Sequence, residues 1–186
     1  VSLQPEWLYF GSINQMSSIV RNLTKRLISL LPKTKCFYDM NLRNGHYSLG
    51  LIKELLKAST VLKLNIYETR ICCELFGKKS MKLEDYCKWI VDAFMLEGVC
   101  ITMGSKGCIT YFGEEYVQSP AYQVKEVDLI GAGDAFAAGF LHGMYNNWGL
   151  IKTCDFANRL GACNVKKDGA IPEWTIEELL SLKINN

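Results

Sequence analysis

The residues best suited to chemistry close the run Asp128-Leu129-Ile130-Gly131-Ala132-Gly133-Asp134. Ahead of it, Tyr122, Val124 and Val127 read as a strand. Behind it, Phe136, Phe140 and Met144 recur at i, i+4 and i+8, one face of a helix. A strand, a Gly-Ala-Gly turn and a helix in succession leave backbone N–H groups at the positive end of a helix dipole. That is a site for an anion, phosphate being the usual one. Gly131 and Gly133 let the backbone approach it, since no Cβ intervenes. Asp134 then sits beside the anion. A carboxylate there suits a general base that takes a proton from a hydroxyl attacking phosphorus. On these residues alone a second reading stays open: a glycine-rich turn in which Asp134 is a favourable helix N-terminal charge.

Two further groups carry the same ambiguity. Asn65-Ile66-Tyr67-Glu68 is either an N-cap with a capping-box glutamate or a carboxylate that helps hold water around Mg²⁺. In Asp39-Met40-Asn41-Leu42-Arg43, Arg43 is either a solvated loop residue or a partner for a phosphate or an acidic sugar.

Gly131-Ala132-Gly133-Asp134, followed by an aromatic and a run of small residues, resembles the second signature of the ribokinase-like (PfkB) carbohydrate kinases. Leu129 stands where that family usually has Thr. The resemblance implies that Asp134 is the catalytic base and that the amides of Gly131, Ala132 and Gly133 form an anion hole. Asn65-x-x-Glu68 resembles the family's motif with magnesium and phosphate duties. Asp39-x-Asn41-x-Arg43 resembles its Asp-Pro-Asn-x-Arg, which implies a substrate or phosphate role for Asn41 and Arg43. Thr102-Met103-Gly104-Ser105-Lys106-Gly107 resembles its nucleotide loop, implicating Thr102, Gly104 and Gly107 in nucleotide binding, and a glycine-bearing hairpin turn is the alternative there. Asn158 stands where many members place an Asn near the adenine, and otherwise reads as a surface helical residue. Lys167-Asp168-Gly169-Ala170 with Pro172 resembles the closing segment, which together with Asp128 implies a site for a monovalent cation such as K⁺.

The implied function is ATP-dependent phosphorylation of a sugar hydroxyl, fructose first, with 2-keto-3-deoxygluconate, ribose or a nucleoside as alternatives. The implied cofactors are ATP and Mg²⁺, with K⁺ attached to the Asp128 site, and the implied complete protein is a homodimer. A nucleotide-binding or regulatory module without turnover is the alternative of another class.

The elements that must position these residues follow from hydrophobic pattern. Trp7–Phe10, Cys36–Tyr38, Val61–Leu64 and Val99–Thr102 read as strands. Helices are expected over 17–31, 49–58, 67–76, 83–96 and 151–167, with Thr175 capping a last one. Cys108–Phe112 and Tyr116–Gln118 read as a hairpin about Gly113. Strands alternating with helices argue for an α/β, mainly parallel sheet. In such sheets ligands bind at the carboxyl ends of strands, where Asn41, Arg43, Asn65, Glu68, Thr102, Gly104, Asp128 and Asp134 are expected to fall. The resemblance sharpens this to a ribokinase-like three-layer α/β/α fold, with residues 1–186 as one nucleotide-binding and catalytic domain, the C-terminal portion of a longer kinase. No counterpart of the family's sugar-binding Gly-Gly-x-x-x-Asn segment, N-terminal strands or small β lid is found. An open sheet edge and uncovered apolar surface are therefore expected.

Composition is consistent with this. A chain of 186 residues, 49% hydrophobic and 22% charged, is ordinary for a globular domain. A net charge of +2 makes no electrostatic case for nucleic acid or membrane. No apolar run reaches the roughly 20 residues of a membrane span, and no signal peptide is expected. The eight cysteines form no C-x-x-C pair and lie mostly in apolar patterns, so they read as thiols in a reducing cytoplasm rather than zinc ligands.

Overall fold

The computed structural model describes residues 4–184. The chain divides into two compact units. One runs to Ile101 and takes in Tyr111–Tyr116; the other holds Thr102–Thr110 and continues from Val117.

The first unit alternates β1 (Trp7–Gly11), α1 (Ser18–Leu30), β2 (Lys35–Asp39), α2 (Leu49–Lys57), β3 (Val61–Asn65), α3 (Ile66–Leu75), α4 (Leu83–Phe94) and β4 (Gly98–Thr102). β2 pairs in parallel with β1 and with β3. Phe37, Tyr38, Val61, Leu62 and Leu64 are fully buried, as strands of a parallel sheet covered on both faces should be. α2 begins where Ser48 Oγ accepts the Leu51 amide at 3.2 Å, and it buries Leu51, Ile52, Leu55 and Leu56. α1 has the expected amphipathic pattern with the opposite outcome. Its apolar stripe of Ile19, Leu23, Leu27 and Leu30 is exposed, and none of its residues is buried. α4 stops at Phe94, short of the expected Leu96, because Met95 turns left-handed at φ 55° and breaks the hydrogen-bond ladder.

The hairpin consists of β5 (Cys108–Phe112) and β6 (Glu115–Ser119), joined through Gly113 at φ 57°. A two-residue connection makes the pair antiparallel. The strand order is β1-β2-β3-β4-β5-β6. The second unit continues with α5 (Ala132–Tyr145), α6 (Leu150–Val165) and α7 (Ile176–Leu180). α5 and α6 pack closely because Gly139 and Gly143 give way. A Cβ at Gly139 would stand 2.7 Å from Leu160 Cδ1, and one at Gly143 would stand 2.6 Å from Thr153 Oγ1. Leu179 of α7 completes a cluster with Leu160 and Cys163.

The strand expected over Tyr122–Val127 does not form. Tyr122 makes only an isolated bridge to Ile184, the Gln123 amide bonds Lys183 O, and the Val127 amide bonds Val165 O. The segment's hydrogen bonds go to two different neighbours rather than one strand partner, so no ladder develops. Asp128 consequently does not follow a strand. All eight cysteines are buried. No helix among the described residues is long and apolar enough to cross a membrane.

Candidate active site

In the first unit, the loop after β2 and the start of α3 are joined by one side chain. Glu68 Oε1 accepts the Leu42 amide at 2.7 Å, and Oε2 accepts the Asn65 amide at 2.8 Å. Asn65 Oδ1 in turn accepts the amides of Tyr67 and Glu68, which completes a capping box. Glu68 is 6% exposed. Burial pushes its carboxyl up, while the two backbone donors pull it back. The Leu42 contact holds a loop whose Asn41 sits at φ 38° and whose Arg43 is exposed. The capping reading of Asn65 and Glu68 is thus realised. Glu68 has both oxygens on backbone amides, so it fits a loop staple better than a holder of magnesium-bound water. Among the described residues no group of three or more His, Cys, Asp or Glu could hold a metal ion.

The sequence reading missed a second pairing at the same strand ends. Lys63 Nζ meets Asp39 Oδ2 at 2.7 Å with both side chains at least nine-tenths buried, and the Tyr9 hydroxyl donates to the same oxygen at 3.1 Å. A lysine inside the apolar run Val-Leu-Lys-Leu was the available signal, because a buried ammonium needs a carboxylate partner.

In the second unit, a cavity of about 470 Å³ is lined by Thr102, Gly104, Gly107, Ala132, Gly133 and Asn158 among others. The expected nucleotide loop and the expected anion-binding turn therefore share one cavity. Its apolar wall includes Phe136, Ala162 and Val165. The loop is tight: the Met103 amide bonds Gly107 O at 2.8 Å, and Gly107 stands at φ 85° where a Cβ would lie 2.0 Å from Ser119 O. Asn158 is not the surface residue that one reading made it. It is 8% exposed, and its amide nitrogen donates to Ser119 Oγ at 3.1 Å and Pro120 O at 3.2 Å, so it pins α6 to the end of β6.

α5 starts at Ala132 with Gly131 as its N-cap at φ 81°. Asp134 therefore occupies the third helical position. It is exposed and takes no hydrogen-bond or ion-pair partner among the described residues. Asp128 does not line the cavity. Its Oδ1 accepts the Ile130 amide at 2.9 Å and its Oδ2 the Gly169 amide at 3.1 Å. Its carboxylate oxygens are thus committed to backbone. Asn164, whose Nδ2 donates to Ala170 O at 2.9 Å in the same loop, keeps its Oδ1 buried without a hydrogen-bond partner. A third cluster escaped the sequence reading. The Tyr122 hydroxyl bonds Asp155, which also takes Arg159 Nε at 2.9 Å, and the Arg159 guanidinium stacks 4.3 Å over the Tyr122 ring. Burial and the neighbouring carboxylate both push the Tyr122 phenol up. Arg159 also bonds Leu179 O at 2.9 Å, which ties α7 to a wall of the cavity.

Comparison with known proteins places this arrangement. Fructokinase-1 of Zea mays is 34% identical over 189 residues, covering 94% of this chain and 57% of that protein. The crystal structure of aminoimidazole riboside kinase from Salmonella enterica, complexed with aminoimidazole riboside and an ATP analogue, superposes with a TM-score of 0.73 at 26% identity over 90% of this chain and 58% of that one. A fructokinase structure from Vibrio cholerae, in the fructose-, ADP- and calcium-bound form, gives a TM-score of 0.78 at 24% identity over 91% of this chain and 58% of that one, and so speaks to the fold. The fold is ribokinase-like. The chain spans a little over half the length of these proteins. Residues 6–176 match the pfkB family carbohydrate kinase profile, and the chain belongs to that family.

Proposed function

We propose that this chain is the nucleotide-binding and catalytic portion of an ATP-dependent sugar kinase, with fructose as the first candidate substrate. The observation that carries the reading is the start of α5. Ala132 and Gly133, the first two residues after a glycine N-cap in the left-handed region, line the cavity that Thr102 and Gly104 also line, and the next residue, Asp134, is exposed with an unpartnered carboxylate. ATP would lie in that cavity, its apolar part against Phe136 and Val165. Asp134 takes the proton of the attacking sugar hydroxyl. The new bond forms between that oxygen and the γ-phosphorus, the bond to the β,γ-bridging oxygen breaks, and ADP leaves. The amides of Gly131, Ala132 and Gly133 stabilise charge on the transferring group. Asn41 and Arg43 are assigned to the substrate or its phosphate. Magnesium would enter with the nucleotide and would supply charge neutralisation at its phosphates. Glu68 contributes through the loop it staples. Potassium would be held by Asp128 with the loop at Gly169 and would supply positive charge beside the turn.

The choice of fructose rests on the 34% identity to Fructokinase-1 of Zea mays. A nucleotide-binding module without turnover is the second reading, favoured by Leu129, which stands where the family usually has Thr. The test is sugar-dependent ADP release with Mg-ATP and a sugar panel headed by fructose. The 186-residue chain and the full reading frame are assayed side by side, each with an Asp134→Asn control. Turnover in the longer form that the substitution abolishes is the expected result. Nucleotide binding without turnover in either folded form would establish the second reading instead.

A further inference from the structure

The Gly131 turn is pressed directly against a second loop. A Cβ at Gly131 would stand 2.2 Å from Ala170 O. The position of that carbonyl therefore decides where the turn can lie. Two side chains hold the 169–170 loop in place. Asp128 takes the Gly169 amide at 3.1 Å, and Asn164, from the last turn of α6, donates Nδ2 to Ala170 O at 2.9 Å. Asn164 is 4% exposed, and its other amide atom, Oδ1, is buried with no hydrogen-bond partner. The carbonyl partner determines which way the amide points, since oxygen facing oxygen would repel. An orphaned buried acceptor is a net cost to the fold. An apolar residue of similar size would avoid that cost, so the donor to Ala170 is what this asparagine contributes. Asn164 was not singled out from sequence, because an asparagine near a helix C-terminus reads as a polar residue at a helix end.

We propose that Asn164 is a positioning residue for the anion-binding turn, acting through Ala170 O on Gly131. With Asp128 it clamps the 169–170 loop from two sides, and that loop forms the floor on which the turn rests. Only the catalytic consequence depends on the kinase reading of the site; the clamp itself does not.

The test reads amide hydrogen exchange in the substrate-free protein, so it is independent of turnover. The reporters are Ile130 and Gly169, both bonded to Asp128, and Ala132, bonded to Leu129 O. Asn164→Leu is expected to accelerate exchange at these amides by about tenfold or more, while β2 and β3 amides keep their protection. Asn164→Asp supplies a second reading. As a carboxylate it repels Ala170 O, and as a buried acid it can donate to it. Its exchange rates relative to the parent are expected to be high near about pH 8 and to converge on the parent near about pH 5. In the active full-length protein, Asn164→Leu should lower kcat while leaving the sugar KM unchanged. Unaltered exchange at all three reporters in folded Asn164→Leu, or a pH-independent Asn164→Asp, would overturn the proposal. Altered exchange in a protein with no sugar-dependent turnover would support the clamp and count against the kinase reading alone.

Discussion

Glu68 and Asp134 occupy the same position on two helices and meet opposite fates. Each is the third residue of its helix, after N-caps Asn65 and Gly131. At α3 the N-cap is extended, with φ −98° and ψ 171°, so its amide faces back toward the helix and the glutamate reaches it. At α5 the N-cap is left-handed at φ 81°, and the aspartate is one methylene shorter. Glu68 is buried with both oxygens on backbone amides, whereas Asp134 is exposed and unpartnered. A carboxylate in the first turn of a helix is either spent on holding backbone or left available for a ligand. At these two helices the N-cap conformation and the length of the side chain together separate the two outcomes.

The comparison can be broken from either side. The largest expected effect is on rate. Asp134→Asn should reduce sugar-dependent turnover of the full-length protein by about 10²–10⁴-fold while shifting the denaturation midpoint by no more than about 0.5 kcal/mol. A comparable stability loss would show that Asp134 is structural like Glu68. Glu68→Ala should do the reverse, costing about 1–3 kcal/mol in chemical denaturation because the buried Leu42 amide and the half-buried Asn65 amide lose their acceptor. A Glu68→Ala protein of parental stability would mean that the staple contributes nothing. Next in size, Asn65→Ala should cost about 1 kcal/mol through loss of the cap at α3, with helix content near α3 as the readout by exchange.

The smallest effect concerns pH. Burial raises the Glu68 carboxyl above its ordinary value of 4.5, so the folded state holds this proton more tightly than the unfolded state does. The stability linked to this proton is then fully present below pH 4.5 and is lost as pH rises through the raised value. Subtracting the Glu68→Ala profile from the parental one should leave a component that declines over that window. A component that grows with pH would show that the two backbone donors outweigh burial.

Much of the frame was legible because it depends on neighbours in sequence. The alternation of strands and helices, the hairpin about Gly113 and the caps at Asn65 and Thr175 all follow from local periodicity and from side chains that bond within three residues. The Tyr122–Val127 segment was misread for a related reason. An apolar-polar pattern shows that a stretch can be extended, but a strand needs one continuous partner, and here the partners are Lys183 and Val165. The lysine within β3 signalled a buried partner without naming it, and the choice of Asp39, the inward turn of Asn158 and the Asn164 contact with Ala170 each depend on where an atom far away in sequence lies.

By itself, the sequence determined the α/β class, the order of the motifs and the amphipathic faces of the helices, because these are properties of residue spacing along one chain. Only the tertiary structure decided which amphipathic faces are covered: α2 is buried and α1 is not, although both carry a comparable stripe. The structure likewise decided which carboxylates are engaged and which is left for chemistry, because burial and the direction of backbone amides arise only when segments far apart in sequence pack together.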